Sequence, residues 1–295
     1  MKNTTIGVNS PPQPMVGIAL MVVASLAVPL VDGIAKALTA SHSPFFIAWL
    51  RYAAAALIVV PLTLPWHRDF RSVRGDFASN ALRTLLAVAA MTCFFFAIAE
   101  IAFATAFGGF FLGPVIAAVL AAWLLGERVT AWRLGAALAG LTGALLIVRP
   151  GVDFQFGSVL AVLSGAFSAG YLVATRVAAS TTAPVDALRF QCVFGALLLT
   201  PLAVLNWSWP TPEAMLLIAA MGALSAGCHF MLIAAFRHGE AAVLAPLVYL
   251  ELVTAMVLGR VVFGELPDLM ACTGIGLIVL AGLAILVTER RGRAT

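Results

Sequence analysis

The stretch "AAVLAPLVYLELVTAM" (241–256) carries one ionisable acid, Glu251. An acid among apolar side chains must be paired, hydrated or protonated, because a bare charge in a low-dielectric medium is costly. Two chemistries fit it: holding a substrate ammonium, or carrying a coupling proton. The alternative is a structural carboxylic acid held by hydroxyls of a neighbouring helix. Tyr249 is two residues away, about 200° round a helix, so the two side chains face different surroundings. His229 is the only histidine deep in an apolar run. It is a candidate for a substrate hydrogen bond or for titration near neutral pH, and equally for a satisfied core histidine. Asp32 and Lys36, four apart, share a helical face. A local ion pair near the outer surface is one reading. In the other, Arg51 takes Asp32 or meets a substrate carboxylate.

Metal, nucleotide and hydrolase chemistry find no residues here. The four cysteines (Cys93, Cys192, Cys228, Cys272) all fall inside apolar runs with no CxxC or Cys/His spacing, so they read as free thiols and no cofactor is expected. HExxH, GxSxG and phosphate-loop patterns are absent from the sequence. An enzyme is therefore not expected. A channel would want rings of charge or repeated filter carbonyls, and the central charges are few and unlike one another.

The elements that hold these residues follow from composition. The chain is 62% hydrophobic and 10% charged, against about 25% charged for a soluble domain. No soluble fold of this length hides so much apolar surface, so the expected solvent is a lipid bilayer. The net charge of +4 then marks cytoplasmic loops rather than nucleic-acid binding. Turn residues and charges cut the chain into ten spans, near 15–38, 44–64, 78–99, 101–125, 131–148, 157–178, 185–205, 213–235, 240–262 and 269–288. With the N-terminus inside, thirteen of the seventeen basic residues face the cytoplasm, Arg83 and Arg189 among them. The expectation is an all-α integral membrane protein with ten transmembrane helices and both termini cytoplasmic.

Gly126-Glu127 and Gly264-Glu265 each close a long apolar run, 138 positions apart (265 less 127). "VGIALMVVASLA" (16–27) matches "FGSVLAVLSGAF" (156–167), and "AWLRYAAAALIVVPL" (48–62) matches "DALRFQCVFGALLLTPL" (186–202) with one slip. The chain thus reads as two copies of a five-span unit. Five is odd, so the copies lie inverted in the bilayer, with substrate held between them. The expected organisation is a tail (1–14), a first repeat (15–149), a second, inverted repeat (150–288) and a basic tail (289–295). The Gly-Glu stop reads as helix punctuation: Gly ends a helix, and Glu accepts hydrogen bonds at the start of the next.

Ten short-looped spans, the "LRY/LRF" motifs and the paired Gly-Glu resemble the drug/metabolite transporter superfamily, EamA type. The resemblance covers residues 15–288. It implies export of amino acids, related metabolites or drugs across the bacterial inner membrane by alternating access; some members resemble aromatic amino-acid exporters.

Matching interruptions in the two halves point to the substrate position. "ATAFGGFFLGPVIAAV" (104–119) carries Gly108, Gly109, Gly113 and Pro114, and Pro246 aligns with Gly108. Gly109-x-x-x-Gly113 is also a helix-contact motif. Trp49, Tyr52, Phe111 and Tyr171 are candidates to line a cavity for a flat cargo, and Ser168 fits cavity lining or packing. Trp66, Trp207 and Trp209 read as interface anchors. Two internal copies make a monomer sufficient.

Overall fold

The computed structural model describes residues 14–63, 77–124, 131–148, 155–178, 184–238 and 244–293. Gly126, Glu127 and Trp66 lie outside these residues, as do the side chains of His229 and Pro246. Every described element is helical. In chain order they are α1 (Pro14–Leu38), α2 (Pro44–Thr63), α3 (Phe77–Glu100), α4 (Phe103–Phe110), α5 (Leu112–Leu124), α6 (Ala131–Val148), α7 (Phe156–Ala178), α8 (Pro184–Leu205) and α9 (Pro212–His238). A 3-10 turn (Ala245–Tyr249), α10 (Leu250–Val261) and α11 (Leu269–Arg293) follow. Six described helices (α1, α2, α3, α7, α8 and α9) are each long and apolar enough to cross a membrane; parts of α4–α5, α6 and α11 form shorter apolar helices. Their outward faces are lined with apolar side chains such as Leu57, Leu197, Leu216 and Leu280. A surface of this kind suits lipid, because lipid removes any reason to hide it.

Local chemistry sets the helix ends. Pro44, Pro184 and Pro212 open helices, where a missing N–H costs nothing. Thr211 caps α9 by accepting from Ala214 N–H at 3.2 Å, and Asp268 caps α11 by accepting from Ala271 N–H at 2.8 Å. The fourth apolar run is not one helix. It breaks at Phe111, between α4 and α5. Pro114 accounts for the break: it cannot donate to Phe110 O, and its ring crowds that carbonyl. In the second half the interruption is the 3-10 turn, with Pro246 at its start.

Gly108 and Gly109 stand inside α4, beside the break rather than in it. They let helices touch. A Cβ on Gly109 would lie 2.6 Å from Ala161 Cβ, and one on Gly113 would lie 2.9 Å from Gly165 O, both on α7. A Cβ on Gly108 would meet Ile275 of α11 at 2.5 Å. Gly109→Val is accordingly expected to cost about 1–3 kcal/mol through overpacking, read as a fall in thermal midpoint in detergent. An unchanged midpoint would show that α4 and α7 are not closely packed.

The packing has an exchange property. α1 packs on α9, as α7 packs on α3; α10 packs on α1, as α4 and α5 pack on α7. α2 packs on α8, and α6 on α11. Exchanging α1, α2, α3, α4–α5 and α6 for α7, α8, α9, α10 and α11 in that order leaves this pattern unchanged. Phe111 and Tyr249, 138 positions apart (249 less 111), touch each other with ring centroids 5.2 Å apart. Gly143 and Gly274 press on each other's carbonyls, a Cβ on either meeting the other's O at 2.6 Å.

Candidate functional site

Asp32 of α1 is the starting point. It is only 6% exposed, and it pairs with the guanidinium of Arg51 from α2. Lys36, its neighbour on the same face, turns to other partners. The local Asp32–Lys36 pair expected as one reading is therefore replaced by two pairs between elements. Helix packing decides this: α2 places a guanidinium beside Asp32, and a bidentate donor suits a buried carboxylate better than a snorkelling ammonium. Arg51 also lies over the Phe95 ring of α3, with Cζ 5.8 Å from its centroid.

Glu251 arrives from the other half of the chain. It is 8% exposed and lies in the first turn of α10, where the positive end of the helix favours a carboxylate. The 3-10 turn sets that register. Asp32 and Arg51 act on Glu251 electrostatically, and all three act on the thiol of Cys228 from α9. Four helices (α1, α2, α9 and α10) thus bring two carboxylates, one guanidinium and a thiol into one buried region walled by Phe95. Such a group suits a small ligand with both an ammonium and a carboxylate: the acids take the cation, and the guanidinium takes the anion.

The other candidates lie apart from this group. Tyr249 packs against Phe111 with the rings tilted by 36° and fills the space over Gly282, where a Cβ would come within 1.5 Å of the tyrosine hydroxyl. That hydroxyl has no hydrogen-bond partner among the described residues. Gly282→Ala is expected to lower the thermal midpoint through overpacking, about 1–3 kcal/mol, and Tyr249→Leu in the same chain to restore part of it. Equal midpoints for Gly282→Ala and the parent would refute the contact. Tyr171 of α7 donates to Gln191 Oε1 of α8 at 3.3 Å and lies under Arg83 of α3. Ser168 is buried on α7 near Gly113. Trp49 donates to Thr200 Oγ1 at 3.1 Å and packs with Phe46 and Trp207 at one end of the bundle.

Two arginines counted on the cytoplasmic side are inside the protein. Arg189 is 1% exposed and pairs with Asp186 at 3.5 Å. Arg83 is buried and donates to Ala187 O at 2.6 Å. Charge counting by loop cannot tell a solvated arginine from one folded inward at a helix end.

In Gly264-Glu265 the glycine ends its helix as expected, and the glutamate differs from the expectation. Gly264 is the one glycine with positive φ among the described residues, at 66°. In this left-handed conformation, open to Gly without strain, the chain folds back and Glu265 N–H reaches Gly259 O at 2.8 Å. Glu265 does not cap the next helix, which Asp268 does. It accepts from Phe103 N–H, at the start of α4, at 3.1 Å, and pairs with Lys36 Nζ at 2.8 Å. Phe103 N–H and Cys228 carry no distinctive sequence pattern, and reasoning from sequence missed both.

Residues 15–149 and 155–288 each match the EamA-like transporter family. Among curated proteins, the chain is similar to the S-adenosylmethionine uptake transporter of Rickettsia prowazekii (strain Madrid E), 23% identical over 87% of this chain and 87% of that protein. It is similar to the riboflavin transporter of Brucella anthropi, 27% identical over 81% of this chain and 87% of that protein. It is also similar to the pseudopaline exporter of Pseudomonas aeruginosa (strain UCBPP-PA14), 26% identical over 93% of this chain and 97% of that protein. A solved crystal structure shares the fold with a TM-score of 0.63 at 20% identity, covering 94% of this chain and 97% of that one.

Proposed function

The chain belongs to the EamA-like transporter family and is a multi-pass membrane transporter rather than an enzyme, and from that premise we propose that it exports amino acids or related amphipathic metabolites by alternating access. The cargo sits at Asp32, Arg51 and Glu251. The observation that carries this reading is a buried Asp32–Arg51 ion pair with the buried acid Glu251 within electrostatic range of it. An isolated charge in lipid is expensive, and a pair from two consecutive helices is kept beside an acid from the other half of the chain, where a cargo would exchange for them. The Asp32–Arg51 pair supplies ready partners: a substrate ammonium replaces the Arg51 contact at Asp32, and a substrate carboxylate takes the guanidinium. Glu251 either holds the ammonium or carries the coupling proton.

The frame around the site is two inverted five-helix repeats, 15–149 and 150–288, with ten transmembrane helices and both termini in the cytoplasm. The exchange property of the packing supports it, and so does the direct contact between Phe111 and its equivalent Tyr249. The compartment is the bacterial inner membrane, in keeping with the bacterial relatives. One copy of the chain is enough to enclose the site.

The test is reconstitution in liposomes with labelled amino acids, S-adenosylmethionine and riboflavin as probes. Saturable counterflow of at least one zwitterionic probe is expected. Flux without saturation would favour a channel, and no counterflow across the whole panel would refute the reading. Loading from either side gives the direction, since the named relatives include both an uptake transporter and an exporter.

A further inference from the structure

Lys36 Nζ pairs with Glu265 Oε2 at 2.8 Å and donates to Ile101 O at 3.0 Å. The same Glu265 oxygen accepts from Phe103 N–H at 3.1 Å. Lys36 also lies 5.3 Å from the centre of the Phe263 ring, a cation–π distance. Two side chains thus join three elements: α1, the α3–α4 corner and the segment between α10 and α11. They do so one helical turn from Asp32, on the same face of α1. All the connections they join lie at one end of the bundle, together with the α1–α2 and α8–α9 connections, where His42 meets Ser208 after α8.

We propose that Lys36 and Glu265 are the latch that closes the substrate pathway at this end. The proposal rests on the transporter reading above and adds to it the residues that gate the same site. α1 carries both Asp32 of the site and Lys36 of the latch, so whatever draws α1 away from α10 opens the route between them. Glu265 separates the pair from the ions below: it keeps 34% of its side chain exposed against 8% for Asp32, while Lys36 at 10% is as buried as Arg51 at 11%. A pair with one solvated partner opens with less penalty than one buried on both sides. The outer pair suits a closure that cycles, and the inner pair suits a site opened by cargo. Gly264 makes the latch possible, since its left-handed turn carries Glu265 back over the end of α10. The pairing of charge types also recurs in the sequence. At the offset that lays 16–27 on 156–167, Lys36 falls on Arg176, and Glu265 registers on Glu127; those two side chains lie outside the described residues.

Cys228 is the reporter, because it is buried on α9 within electrostatic range of Asp32, Arg51 and Glu251. In a chain with Cys93, Cys192 and Cys272 replaced by alanine, a membrane-impermeant maleimide is applied to right-side-out and to inverted vesicles. Glu265→Gln and Lys36→Met are each expected to raise labelling of Cys228 from outside about fivefold and to lower it from inside. The exchanged pair Lys36→Glu with Glu265→Lys is expected to return both rates toward the parent. Unchanged rates in both single variants overturn the latch. A rise from both sides together also overturns it, because it reports loosening rather than a gate. The reciprocal change without counterflow of any probe leaves the latch standing and refutes the substrate reading; counterflow with no change in labelling does the reverse.

Discussion

Arg51→Leu is expected to cost about 3–5 kcal/mol, the penalty for leaving a buried charge without its partner. The variant should give much less folded protein and a sharply lower thermal midpoint in detergent. Asp32, on α1, is paired with Arg51 on α2, and Glu251 approaches the same region from α10. Removing the guanidinium leaves two carboxylates and no cation in that group, and both must then be protonated or hydrated. The double variant Arg51→Leu with Asp32→Asn is therefore expected to recover a large share of the loss. A second change rescuing the first is the signature of a pair; two independent packing defects would add. An Arg51→Leu protein as stable as the parent would show that the ions are solvated. It would also remove the reason to place cargo there.

Glu251→Gln is the second large effect, and it falls on transport rather than on folding. Gln keeps the shape and two hydrogen-bonding groups while losing the charge and the titratable proton. Flux is expected to fall about tenfold or more, the equivalent of about 1.4 kcal/mol of lost interaction, with the midpoint held close to the parent's. If Glu251 carries the coupling proton, the pH dependence of transport flattens in the variant and counterflow survives. If it holds the substrate ammonium, counterflow falls with net flux and the pH profile keeps its shape. A variant with parental flux and parental pH dependence would make Glu251 a structural acid and move the site to the Phe111–Tyr249 contact.

How much of this was legible in the sequence depends on the kind of feature. The interruptions were legible because Pro114 and Pro246 stand out in apolar runs, and Pro114 acts on its own helix through a missing donor and a crowded carbonyl. Even so, the break sits at Phe111 while Gly108 and Gly109 serve contact with α11 and α7; a glycine that bends and a glycine that packs look alike in a sequence. The candidates themselves were mostly visible as residue types, since a charge in an apolar run stands out. Their grouping was not. Asp32, Arg51 and Glu251 came together with Cys228, while Tyr249, Tyr171 and Trp49 went to separate neighbourhoods.

The solvent, the all-helical class and the family were decided by the sequence by itself. Each is a sum over the chain or a periodic pattern within it: apolar content, span length, and motifs such as the two Gly-Glu stops. Tertiary structure alone decided which partner each ion takes. Lys36 lies four residues from Asp32 yet pairs with Glu265, because in a bilayer the strength of an ion pair depends on which helices touch and how much lipid or water reaches the charges. Neither quantity is a property of a residue and its sequence neighbours.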